Sequence, residues 1–176
     1  MGDEAVIHLP DERLAVTAVR GPQRLDDLLF QAKKASRLAP LQLLRADRVV
    51  GIDHVRQAAR LTWRAIAEGR QRAERVEVEF TRYVAGKRTI KEALAHMGLE
   101  DDAPGAVVVG LGEQAAKAVE YFVEMLGLEE DDTLLQADPE KLRAFGISDE
   151  MLAATTPARH MDLVLEAVAA VDLLRS

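Results

Sequence analysis

At 176 residues the chain is long enough for one domain with a sizeable core, and a 48% apolar but only 4% aromatic composition means that Leu, Val, Ile and Ala must build it. That balance excludes an aromatic stacking platform for single-stranded nucleic acid, and the lack of cysteine excludes disulfides, thiol nucleophiles and Cys-ligated metals and suits a reducing compartment. The net charge of −7 is segregated: residues 1–53 hold 8 basic and 8 acidic side chains, 54–91 hold 10 and 4, and 92–176 hold 5 and 18. Because salt screens over roughly 8–10 Å, a partner feels the near basic segment rather than the total.

The start, MGDEAVIHLPDE, is acidic where a secretory signal needs a basic region and an apolar block, and no run approaches a membrane span. A cytoplasmic protein without a membrane partner is expected. Leu14–Arg20, LAVTAVR, is rich in β-branched residues and closed by Gly21-Pro22, which predicts a strand. Residues 23–38 place Leu25, Leu28, Leu29, Ala32 and Ala35 on one helical face, ending before Pro40. Leu41–Arg45 and Val49-Val50 then suggest a second strand interrupted at Ala46-Asp47, and two strands around a helix indicate a mixed α/β core.

Gly51-Ile52-Asp53 opens a helix running to Gly69, with Asp53 as the expected cap. Arg56, Arg60 and Arg64, four residues apart, form a basic stripe along it. With only Glu68 near the row, the stripe calls for another anion: an acid elsewhere in the fold, a phosphate, or simply solvent. Trp63 falls on the apolar side and is expected in the core. His54 lies in the first turn, where it either faces a groove or covers the helix end. His8, His54, His96 and His160 are scattered, so no metal site is expected.

Residues 75–99, RVEVEFTRYVAGKRTIKEALAHMGL, form the most organised stretch. The alternation from Val76 to Phe80 would suit a strand, but its continuation to Tyr83 and Val84 favours a helix that Gly86 stops. Thr89 can cap a second helix through Ile90, Ala93, Leu94 and Met97 to Gly98. Between the two lies the Lys87-Arg88 corner, where cations stand beside the N–H groups of a helix start, a place suited to an anion as well as to solvated charge.

Residues 106–111 form a short apolar run, the best buried strand, followed by a helix over 113–126. Gly110-Leu111-Gly112 invites a phosphate-loop reading, but no third glycine or Gly-Lys-Ser/Thr follows, and Glu113 and Glu120 have the wrong sign. Residues 133–136 suggest another strand, Asp138-Pro139 starts a short helix to Phe145, and Ser148-Asp149-Glu150 starts the next. The final helix, 161–174, is apolar around most of its circumference and suits either the core alone or the core plus a partner. No Ser-His-Asp order, framed carboxylate pair or metal cluster supports catalysis; Glu77 and Glu79 should point to different faces of their helix. A non-enzymatic binding role with no cofactor is therefore expected, with a small nucleotide-binding enzyme using Gly110–Gly112, or a protein-only adaptor, as alternatives.

Three sets of residues carry a family resemblance. Gly51-x-x-His54 opens a helix through Ala58 and Ala59; Glu79-Phe80 leads to Tyr83-Val84-Ala85-Gly86-Lys87-Arg88, Ile90, Glu92-Ala93 and Gly98; and Phe145-Gly146-Ile147-Ser148 precedes an apolar helix with Glu166. In this order the chain resembles the small kinase-binding regulatory subunit of the KEOPS complex, in its archaeal form, with Thr89 where that family usually has glutamine. The resemblance implies one α+β domain over residues 1–176, a small, mostly antiparallel sheet with helices packed around it. It also implies a non-catalytic protein that binds the complex's small kinase/ATPase and recruits tRNA by its CCA end for threonylcarbamoyladenosine modification, with no DNA partner. The residues assigned to RNA on this basis are His54, Arg56, Arg60, Arg64, Arg82, Lys87 and Arg88. Those assigned to the kinase are Leu163, Val164, Val168, Val171, Leu173 and Leu174.

Overall fold

The computed structural model describes residues 6–173. Its eight α-helices and one four-stranded, wholly antiparallel sheet give the mixed α+β fold that the resemblance implies. By their contacts the described residues group into two compact units, the first falling in Met1–Ala46 and Gly98–Leu134 and the second in Asp47–Met97 and Leu135–Ser176.

The first unit holds the sheet, ordered β1-β2-β4-β3, from Ile7–Leu9 (β1), Leu14–Arg20 (β2), Leu41–Arg45 (β3) and Gly105–Leu111 (β4). Every residue of β4 and all but the last of β2 are buried, so these strands carry continuous apolar runs rather than an alternating pattern. Helices α1 (Leu25–Ala35) and α5 (Ala115–Leu126) pack on this sheet around Ala15, Val19, Leu28, Val108, Val119 and Phe122. β1 is a strand that sequence patterning does not predict; three residues are too few for a period to register. Val49-Val50 do not continue β3, because a 3₁₀ turn over Ala46–Arg48 ends it. The strand expected at 133–136 is also absent. Asp131 Oδ1 accepts from Thr133 N at 3.0 Å and from Thr133 Oγ1 at 2.6 Å, and that turn starts a 3₁₀ helix over Asp132–Leu135.

The second unit is helical: α2 (Ile52–Ala67), α3 (Val76–Ala85), α4 (Ile90–Met97), α6 (Pro139–Phe145), α7 (Asp149–Ala154) and α8 (His160–Ala169). Gly51, not Asp53, is the N-cap of α2. A Cβ at Gly51 would stand 3.1 Å from Met161 Cε and 3.3 Å from Leu135 O, and Asp53 is exposed two residues further on, inside the first turn. The caps expected for the shorter helices are present: Asp138 accepts from Lys141 N, Ser148 from Met151 N, and Thr89 Oγ1 from Glu92 N at 3.2 Å. Trp63 is partly exposed rather than core. The last helix is α-helical only to Ala169, tightening to 3₁₀ over Ala170–Leu173. Among the described residues no helix is long and apolar enough to cross a membrane.

Candidate nucleic-acid interface

The helical unit carries the basic segment. Its two stretches hold 15 basic and 14 acidic residues, against 8 and 16 in the sheet unit. On α2, Arg60 and Arg64 are exposed and Arg56 partly so. Acids of the same helix region reach this row more than its spacing implies: Arg64 Nε lies 3.3 Å from Glu68 Oε1 and Arg56 Nη1 3.9 Å from Asp53 Oδ1. Hydrogen bonds from Arg70 and then Arg64 hold the Glu68 carboxyl below the usual range. Exposed pairs of this kind contribute about 0–1 kcal/mol and give way readily to a competing anion.

At the corner, Gly86 takes the left-handed conformation (φ 66°) and closes α3 with Gly86 N on Tyr83 O and Lys87 N on Arg82 O, both at 3.0 Å. The corner is braced from inside. Glu79 and Arg82, both buried, form a charged pair in which Arg82 Nη1 lies 3.0 and 2.9 Å from the two carboxylate oxygens. Arg82 Nε donates to Arg88 O at 2.7 Å, and Glu79 Oε1 also accepts from Arg72 N and Ala73 N, each at 3.1 Å. One ion pair thus ties the connector before α3 to the corner after it. Lys87 and Arg88 are half-buried, and among the described residues no carboxylate pairs with either.

This geometry corrects two of the residues assigned to RNA. Arg82 is 3% exposed and spends its donors on Glu79 and Arg88, so it positions the corner rather than meeting a ligand. His54 is fully buried. Its Nδ1 accepts from Val50 N at 3.1 Å and its Nε2 donates to Val84 O at 2.7 Å, a pairing that fixes the neutral Nε2–H form. Burial pushes its pKa down to about 4. Glu79 is the residue that sequence reasoning undervalued: its i,i+3 spacing to Arg82 was the available signal.

The three stretches that carry the resemblance meet in this unit. The Phe145 ring stands edge-on to His54, centroids 5.0 Å apart, and its Cζ is 3.4 Å from where a Cβ on Gly86 would lie. Lys141, one turn before Phe145, donates Nζ to Val49 O at 3.0 Å, and burial lowers its pKa.

The residues assigned to the kinase divide. Val164, Val168 and Val171 are at most 1% exposed and face the core, because α8 packs on α2 and α3; they are not a free surface. Leu163 is half-buried and Leu173 is 77% exposed, while Leu174 lies outside the described residues. The turn that presents Leu173 is clamped at Asp172, which accepts from Tyr83 Oη at 2.5 Å and from Arg70 Nη1 at 3.2 Å. Burial and then this bond push the Tyr83 pKa up to about 12.

Gly110-Leu111-Gly112 has a packing explanation. A Cβ at Gly110 would stand 2.7 Å from Ala115 O and 2.9 Å from Val119 Cγ2, so glycine lets α5 approach β4, and Gly112 turns the chain at φ 121°. Among the described residues no three His, Cys, Asp or Glu side chains gather as a metal set.

Fold and site together describe an α+β protein with two half-buried cations on a helix corner held by a buried ion pair. The kinase binding protein CGI-121 family matches residues 17–172, and the chain belongs to that family, the small regulatory subunits of KEOPS to which its motifs pointed. No curated protein matches the chain.

Proposed function

We propose that this protein binds and regulates the KEOPS kinase/ATPase and delivers tRNA to the complex by its CCA end, without making or breaking bonds itself. The observation that carries the RNA half is the corner: two cations free of carboxylate partners among the described residues, beside the start of α4, on a backbone fixed by Glu79–Arg82. Lys87 and Arg88 contact the RNA end, and Arg56, Arg60 and Arg64 contact backbone phosphates; His54 and Arg82 act through the corner they hold. Leu173, with Leu163 and Leu174, forms the kinase contact, and family membership supports a kinase as the partner.

Binding of full-length tRNA and of tRNA lacking its CCA end tests the RNA half. The expected outcome is markedly weaker binding of the truncated RNA, and a loss of roughly 1–3 kcal/mol when Lys87 and Arg88 are both replaced by Glu. Equal affinity for the two RNAs removes the CCA claim, and no tRNA binding at all leaves a protein-only adaptor. For the kinase half, Leu173→Asp should abolish co-purification with the kinase while leaving the fold intact; a folded variant that still binds places the contact elsewhere.

A further inference from the structure

Helix α1 of the sheet unit has an exposed face that packing within the chain does not use. Leu28 and Ala35 point into the core, while Leu29 and Phe30 are 52% and 59% exposed at mid-helix. Asp26 and Asp27 lie four and three residues before Phe30, and Lys33 and Lys34 three and four residues after it. Lys34 Nζ rests 4.6 Å from the centre of the Phe30 ring, holding that ring in place at the surface. Acids early and bases late also suit the helix dipole, but the dipole gives no reason for two large apolar side chains in water between them.

We propose that α1 is a self-pairing surface on which a second copy of this chain docks antiparallel, the two-fold axis passing at Phe30. The charge pattern makes the face complementary to itself under that operation: Asp26 meets Lys33 and Asp27 meets Lys34 of the second copy, each pair on its own side of the contact, while Phe30 covers its counterpart with Leu29 flanking it. A two-fold contact requires such self-complementarity of one patch. The helix is about 16 Å long, too short to bury the ~800 Å² per partner of a standard interface, so the pairing is weak and rises with concentration. It rests on neither the kinase nor the RNA reading.

Sedimentation equilibrium over a concentration series tests it, with far-UV circular dichroism confirming that each variant is folded. The wild-type mass should rise from 19.3 kDa toward twice that value. Phe30→Glu, the pair Asp26→Lys with Asp27→Lys, and the pair Lys33→Glu with Lys34→Glu should each stay at the single-chain mass. Mixing the two charge-reversed proteins should restore association, since one then offers only cations and the other only anions. A wild type that stays at 19.3 kDa throughout, variants that associate like it, or a mixture no heavier than its parts overturns the proposal.

Discussion

A buried ion pair and a buried imidazole govern the helical unit, and they respond to different perturbations. Glu79 and Arg82 satisfy each other and three backbone groups besides, so removing one partner strands the other's charge. Glu79→Gln is expected to cost about 3–5 kcal/mol in urea unfolding and to speed hydrogen exchange at the Arg72 and Ala73 amides; a loss below about 1 kcal/mol would show the pair to be dispensable. His54 acts through pH. The unfolded ring takes up a proton near 6.5 and the folded ring only near 4, so acid favours unfolding. Its contribution is fully present above the unfolded value and is lost as pH falls toward the folded one. From this ring, stability should drop by about 2–3 kcal/mol between about pH 7 and about pH 4.5; an unchanged unfolding midpoint over that range contradicts it. Beyond the i,i+3 spacing of Glu79 and Arg82, neither role was visible in sequence, because the backbone groups that define them, Val50 N, Val84 O and Arg88 O, come from separate stretches.

At the level of elements, what could be foreseen depended on whether the signal was local. Caps are local, and Asp138, Ser148 and Thr89 cap as expected. The buried strand at 106–111 and the break at Gly86 are equally local. The turn at 132–135 was missed because Thr133, Leu134 and Leu135 look like a strand, while the Asp131 side chain that bends the chain precedes them. The division of the last helix could have been read: Val164, Val168 and Val171 are spaced i, i+4, i+7, a single inward face that excludes Leu173. Two substitutions test elements directly. Gly110→Ala forces a methyl group against the α5 backbone and should cost about 1–3 kcal/mol by thermal or urea unfolding; a neutral result would remove close packing as the reason for the glycine. Tyr83→Phe breaks the Asp172 clamp and is expected to lower stability by about 1 kcal/mol and weaken kinase capture. Unchanged capture would separate the clamp from the docking surface.

Over the whole molecule, charge is the property that the sequence revealed most directly and that the fold sorts further. The sheet unit takes twice as many acidic as basic residues, and the helical unit is nearly balanced yet carries the basic segment of residues 54–91. An anionic partner is therefore met by a local field, and its binding should weaken steeply with added salt. Replacing Lys87 and Arg88 should reduce the slope of log affinity against log salt by about 1 per contacted phosphate. An unchanged slope in the double variant would move the phosphate contacts to the α2 arginines.

The wiring of His54 also makes the ring a gauge that needs no attached probe group. With Val50 N donating to one nitrogen and Val84 O accepting from the other, the folded chain holds a single tautomer, and its two ring nitrogens should give well-separated ¹⁵N resonances that stay fixed until the pH approaches 4. If one of the bonds is lost, the tautomers exchange and the two resonances draw together before any helix has melted. Loosening beneath Gly86 would then be seen at a single side chain, in the intact protein, while RNA or kinase is titrated in.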